Sequence, residues 1–268
     1  MPERWQRRRF MASALGLAVL VSPTLRAEED HTGGDPLGSM QWPGLRQEFI
    51  GKDAMVFSDR VHVKGPAFAD DAMNVPLLID ARALGQEGGG IRRVVVVADR
   101  NPVRQVLVFE PLRSLPVIAV RIRLEQASPV RAMVQTRDGH WHVGSTWVEA
   151  AGGGCTVPGA TRADGSWSQT LNQVQARFFN NVLEGSRRLR LRVMHPMDTG
   201  LVAGIPAFHL EELELQDATG KPWWRLGLHE PVSENPLITF ELPPDALGQL
   251  RLVGRDNNGN RIDVELMS

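Results

Sequence analysis

From residue 75 onward the chain is written in short runs where apolar positions alternate with polar ones or stand together in blocks of four to nine. The runs are 75–80 (VPLLID), 94–98 (VVVVA), 106–109, 119–124 (AVRIRL), 130–136 and 141–149. They are separated by Asp99-Arg100-Asn101-Pro102, Ser128-Pro129 and Asp138-Gly139. Such runs between turn-forming residues predict strands, and many of them in succession predict a β-sandwich. Within 121–124 the alternation turns Ile122 and Leu124 to one face and Arg121 and Arg123 to the other, so both arginines are expected in solvent. Before these runs, 44–50 predicts one or two helical turns, and the polar, glycine-containing stretch 31–39 reads as disordered.

The pattern stops between 150 and 170, where AGGGCTVPGATRADGSWSQT offers no periodic apolar face and therefore reads as a linker. Residues 174–179 follow; Leu171, Val174, Phe178 and Val182 also fit a helical face, and a strand is preferred. Strict alternation returns in 188–193 (RLRLRV), followed by 210–215, 224–228, 237–242, 250–253 and 262–266. Asp217-Ala218-Thr219-Gly220 and Asp256-Asn257-Asn258-Gly259 are the expected hairpin turns. The fold class is thus all-β, as two β-sandwich domains joined by a Gly-rich linker. The expected boundaries are 42–151 for the first domain, 152–170 for the linker and 171–268 for the second, with 28–41 disordered.

Composition changes this picture little. The chain has 268 residues, enough for two small cores, and a formal charge of −1 gives no electrostatic footprint for nucleic acid. The N-terminus changes the compartment. Arg7, Arg8, Arg9 and Phe10 precede an apolar stretch over 11–21, and Leu25-Arg26-Ala27 offers a small-residue cleavage point. The stretch is shorter than the roughly 20 residues a bilayer core requires. The arrangement looks like a twin-arginine export signal over 1–27, with an ordinary secretory signal as the alternative. A periplasmic protein without stable membrane insertion is expected, its signal removed.

In an exported chain the single cysteine, Cys155, cannot form an internal disulfide, so it points to intermolecular pairing or to a reactive thiol. Gly152, Gly153 and Gly154 before it bring no side chains to pack, which predicts an exposed, flexible arm with a reach of about 15 Å at roughly 3.5 Å per residue. The nearest charges in sequence are Glu149 and Arg162, so the thiol is expected near its ordinary pKa of about 8.5, with activation left to a partner. That suits a covalent carrier acted on by other enzymes better than a catalyst. His140 and His142 could approach the thiol but read as structural.

A second candidate is Met194, His195 and Met197, whose soft donors resemble a copper site. Pro196, Asp198, Thr199 and Gly200 allow the same segment to be a shaped turn. No Walker loop, GxSxG elbow, HExxH or dinucleotide fingerprint is present, and no cofactor is expected.

Taken together, the chain resembles the SoxY and SoxZ proteins of bacterial thiosulfate oxidation, fused as in the SoxYZ-like carriers associated with quinoprotein dehydrogenases. The SoxY-like features are Asn74-Val75-Pro76, Asn101-Pro102, the 121–124 strand, Asp138-Gly139 and Gly152-Gly153-Gly154-Cys155. The SoxZ-like ones are 195–200 (HPMDTG), Ile205-Pro206, 233–236 (SENP) and 256–259 (DNNG). The resemblance implies two immunoglobulin-like sandwiches, with Cys155 holding oxidised sulfur intermediates as covalent adducts. It also implies partners among periplasmic sulfur-oxidation enzymes or c-type cytochromes, or a quinoprotein dehydrogenase. It departs from SoxY after the cysteine: Thr156-Val157-Pro158 follows and the chain continues, so the arm is a loop tethered at both ends. A passive adaptor for a dehydrogenase is the remaining alternative.

Overall fold

The computed structural model describes residues 31–180 and 185–267; the expected export signal over 1–27 and Val182 lie outside them. A helix, α1 (Trp42–Phe49), precedes nine strands: β1 (Met55–Phe57), β2 (His62–Lys64), β3 (Phe68–Ala69), β4 (Val75–Asp80), β5 (Ile91–Ala98), β6 (Gln105–Glu110), β7 (Val117–Ile122), β8 (Ser128–Thr136) and β9 (Trp141–Ala150). Two short helices, α2 (Ala160–Asp164) and α3 (Trp167–Thr170), occupy the expected linker. Then come β10 (Val174–Asn180), β11 (Arg187–Val193), β12 (Leu210–Asp217), β13 (Pro222–Leu228), β14 (Leu237–Leu242), β15 (Gln249–Asp256) and β16 (Arg261–Met267). The all-β class holds, and 174–180 is a strand. The helix anticipated over 44–50 is α1.

The two halves share their sheets. The larger sheet runs β1-β9-β8-β5-β6-β13-β12-β15-β16, with β3 also pairing β9; the smaller runs β10-β11-β14-β7-β4-β2. Strands of the two halves pair antiparallel in both layers, β6 with β13 (Phe109 opposite Leu226) and β7 with β14 (Ile118 opposite Phe240). One apolar core follows from this, running from Val75 and Val94 through Phe109, Trp224 and Phe240 to Leu252. Trp224 stacks on Phe240, their centroids 4.0 Å apart.

The valine block of β5 is apolar throughout because both its faces are covered. Val94 and Val96 face the shared core, while Val95 and Val97 lie in a second cluster with Met133, Trp141 and the α1 residues Trp42 and Leu45. The same outer face holds Arg131 of β8, fully buried. Its guanidinium pairs with Asp35 (2.6 and 2.8 Å) and Asp99 (2.8 to 3.1 Å) and lies 4.7 Å from the Trp42 ring.

This ion triad corrects the expectation for the segment before α1. Residues 31–41 are a series of turns, not a disordered tail. Asp35 and Ser39 are buried, and the Ser39 hydroxyl donates to Asp99 at 2.7 Å. Polar composition hid the anchor, since a buried carboxylate is stable only with a partner almost a hundred residues away.

Burial by itself would raise the Asp35 carboxyl, but hydrogen bonds from Arg131 and the Ser39 amide hold it below the ordinary 3.8. A depressed folded pKa contributes stability that is present above pH 3.8 and lost as pH falls through the folded value. Asp35→Asn is therefore expected to cost about 3 kcal/mol at neutral pH, the lower end for breaking a buried pair because Asp99 remains. Urea melts at pH 7 and pH 3 check this: the gap between wild type and variant should narrow at the lower pH.

Candidate functional site

At the end of β7 the alternation that places Arg121 in solvent breaks. Ile122, Arg123 and Leu124 are all buried in succession. The strand has ended at Ile122, and its extension 123–125 is instead framed on both sides. The Arg123 amide donates to Pro231 O (2.6 Å) and the Leu124 amide to Ala72 O (2.8 Å). Asn101 braces it from below, its Nδ2 donating to Arg123 O (2.8 Å) and its Oδ1 accepting from the Glu125 amide (2.9 Å).

The glycine arm lies against this extension. Gly153 and Gly154 donate their amides to Glu125 O (2.9 Å) and Leu124 O (3.0 Å). Gly154 must be glycine for the approach: a Cβ there would stand 2.2 Å from Ala72 O and 2.7 Å from Leu124 O. The Glu125 carboxylate then clasps the next two residues, accepting from the Cys155 amide (3.0 Å) and the Thr156 hydroxyl (3.1 Å). From the second half, the Thr199 hydroxyl donates to Cys155 O at 2.6 Å.

The expected exposed, flexible arm is thus corrected to a docked one. Gly152, Gly153 and Gly154 serve close approach here, and Cys155 is only 2% exposed. The expected ordinary thiol is corrected with it: burial, reinforced by the Glu125 charge and opposed by Arg123, pushes Cys155 up to about 12. At pH 8 only about one docked molecule in ten thousand then carries a thiolate.

Arg123, expected in solvent, is 1% exposed. Its Nη1 donates to Gly154 O and Val157 O (both 3.3 Å) and its Nη2 to Pro196 O and Met197 O (both 3.4 Å). One side chain thereby ties the arm of the first half to the 195–200 loop of the second. Beyond Cys155 the chain stays attached: Glu234 accepts the Ala160 and Thr161 amides (both 2.7 Å), and Arg162 pairs with Asp198.

Of the three copper-site candidates, His195 and Met197 make side-chain contacts within the fold. His195 Nδ1 accepts the Met197 amide at 3.1 Å, and Met197 Sδ accepts the Leu210 amide at 3.4 Å; both side chains are buried. His195 Nε2 faces Asp256 at 3.6 Å, and burial drives the imidazole toward its neutral form. Met194 uses its backbone to pair with Asn172 and Gln173. Among the described residues no group of three or more His, Cys, Asp and Glu could hold a metal ion. The segment is a shaped turn, with Met197 at φ +48° and Gly200 at φ +74°. His140 pairs with Asp138 and His142 faces Glu87; neither hydrogen-bonds to Cys155.

A family model described as sulfur oxidation protein SoxY matches residues 46–155, ending on the cysteine, and one described as sulphur oxidation protein SoxZ matches 180–266. The chain belongs to these two families, fused in tandem. Two solved structures are similar over part of it. The sulfur carrier protein SoxY from Chlorobium limicola f thiosulfatophilum is 18% identical, covers 41% of this chain and 96% of its own, and has a TM-score of 0.36. A putative superoxide reductase from Thermotoga maritima is 13% identical, covers 38% and 89%, and has a TM-score of 0.28. No curated protein matches the sequence. Thr199, which donates to Cys155 O, and Pro196 and Met197, whose carbonyls accept from Arg123, lie in the SoxZ-matched segment, whereas Arg123 and Cys155 lie in the SoxY-matched one.

Sequence reasoning missed Arg123, Glu125 and Thr199. The available signal was the short distance from Arg123 to the Glu125-Gln126-Ala127-Ser128 turn, where a strand ends and alternation no longer assigns a face. With the arm docked, iodoacetamide should label Cys155 at least 100-fold more slowly than a cysteine in the urea-unfolded chain. Glu125→Gln, which weakens a charged clasp by about 1.5 kcal/mol, should raise the rate about tenfold. Gly154→Ala should raise it further by expelling the arm. Timed mass spectrometry of the alkylated protein measures all three.

Proposed function

We propose that this SoxYZ-like protein is a non-enzymatic periplasmic carrier whose Cys155 is loaded covalently with sulfur intermediates and presented to sulfur-oxidation enzymes. The observation that carries the reading is the seating of the chain's single cysteine at the SoxY–SoxZ junction, where it is held by hydrogen bonds to its backbone. The docked arm shields a protonated thiol. When the arm leaves its seat, Cys155 loses the burial that raises its pKa and regains the reactivity of an ordinary thiol.

The chemistry that suits such a thiol is exchange at sulfur. A thiolate attacks a sulfur electrophile, an S–S bond forms as the leaving group departs, and a later thiolate takes the cargo off in the same way. No general base stands within hydrogen-bond distance of the thiol among the described residues, so a partner supplies activation. Sulfur-oxidation enzymes or c-type cytochromes suit this role, as does a quinoprotein dehydrogenase if the cargo is not thiosulfate.

The arm is held at both ends, by β9 before it and by the Glu234-capped α2 after it, and so emerges as a loop. A partner channel must admit a doubled strand or meet the loop at its mouth. Intact-mass analysis of protein isolated from its native host is expected to show sulfur-containing adducts that vanish in Cys155→Ser. Full host function with Cys155→Ala would replace the carrier reading by a docking adaptor.

A further inference from the structure

We propose that Arg123 is an anion-recognising group for the cargo: the seat of the arm retains negatively charged sulfur adducts of Cys155, such as thiosulfonates and S-sulfonates, in preference to neutral or cationic ones. The inference rests on the carrier reading and adds the class of adduct.

Among the described residues Arg123 and Arg131 carry the two most deeply buried guanidinium groups, and their surroundings differ. Arg131 has two carboxylates within 3.1 Å. Arg123, equally buried, forms no ion pair among the described residues. Its four hydrogen bonds all go to backbone carbonyls at 3.3 to 3.4 Å, and its Nε has no partner. A buried cation without a counter-ion is costly, and carbonyl dipoles at these distances compensate it weakly.

Carboxylates do surround the seat, but each is spent on other donors. Glu125 holds the Cys155 amide and Thr156, Glu234 holds the Ala160 and Thr161 amides, Asp198 holds Arg162, and Asp71 holds Met73 and Asn74. The cation left without a carboxylate partner donates to the carbonyl of Gly154, the residue joined to Cys155. Burial lowers the Arg123 pKa, whereas its two carboxylates raise that of Arg131, the same contrast read from their protons.

The bare thiol is neutral in its seat and cannot supply the missing charge. Glu125 opposes a thiolate on Sγ itself. A thiosulfonate carries its charge on oxygens two bonds beyond the new disulfide, away from Sγ, and a guanidinium fork suits such oxygens better than a lysine would.

The test installs adducts chemically. Thiolate attack on a central sulfur of tetrathionate forms a Cys155 Sγ–S–SO3⁻ adduct and releases thiosulfate. Attack on hydroxyethyl disulfide forms the neutral hydroxyethyl mixed disulfide and releases mercaptoethanol; cystamine gives the cationic aminoethyl counterpart and releases cysteamine. Dithiothreitol removes each, becoming its cyclic disulfide, returning the thiol and releasing thiosulfate, mercaptoethanol or cysteamine. The release rate in folded protein, divided into that of the same adduct in the urea-unfolded chain, measures protection.

Wild type is expected to protect the anionic adduct at least tenfold more than the neutral one, and the neutral more than the nearly isosteric cationic one. Arg123→Gln should bring the three within twofold, and Arg123→Lys should keep the order with a smaller spread. Equal protection of all three adducts in wild type, or an unchanged spread in Arg123→Gln, overturns the proposal. If Arg123→Gln does not fold by circular dichroism, the wild-type order and the Arg123→Lys spread decide. Because loading is chemical, the outcome is separate from whether the host loads Cys155.

Discussion

The buried guanidinium of Arg123 is the interaction on which the arrangement of the cysteine depends. It reaches the carbonyls of Gly154 and Val157 on one side and those of Pro196 and Met197 on the other. Hydrogen bonds from a charged donor contribute about 1.5–3 kcal/mol each in good geometry. These are long, and the ion's burial costs several kcal/mol. The cross-link is therefore specific without being strongly stabilising, which suits a contact that must let go. Fusion helps, since the two halves share both sheets and the carbonyls facing Arg123 do not have to be brought together by association.

Around that centre every contact to the arm is individually modest. Two amides donate to the 123–125 extension, one carboxylate clasps Cys155 and Thr156, and one threonine hydroxyl meets the Cys155 carbonyl. Their common effect is to trade reactivity for protection. The seated thiol is held well above its ordinary pKa by burial. A carrier needs both conditions in turn, which a rigidly buried or a permanently free cysteine would not provide.

Much of the fold was legible because strand formation is a local property. The runs at 75–80, 237–242 and the alternating 188–193 appear as strands at or within a residue of where their patterns place them. The short strands Met55–Phe57, His62–Lys64 and Phe68–Ala69 were not legible, because two or three residues contain too little period to read. The pattern also read 31–41 as disordered and 150–170 as a linker, without the contacts that hold them. Both are held by contacts over long sequence distances, the Asp35 ion pair with Arg131 and the Glu234 carboxylate accepting the first amides of α2, and no local pattern records such partners.

By itself, the sequence determined the all-β class, the break between two β-rich halves, and the singularity of Cys155 beside three glycines. Each of these follows from composition or short-range periodicity. Tertiary structure alone decided that the halves share two sheets, that Arg123 turns inward where its strand ends, that Glu125 meets the Cys155 amide thirty residues away, and that the glycines serve docking. The reason is physical: whether a glycine run is free or seated, and whether a charge is solvated or buried, depends on surfaces that exist only after distant segments have packed together.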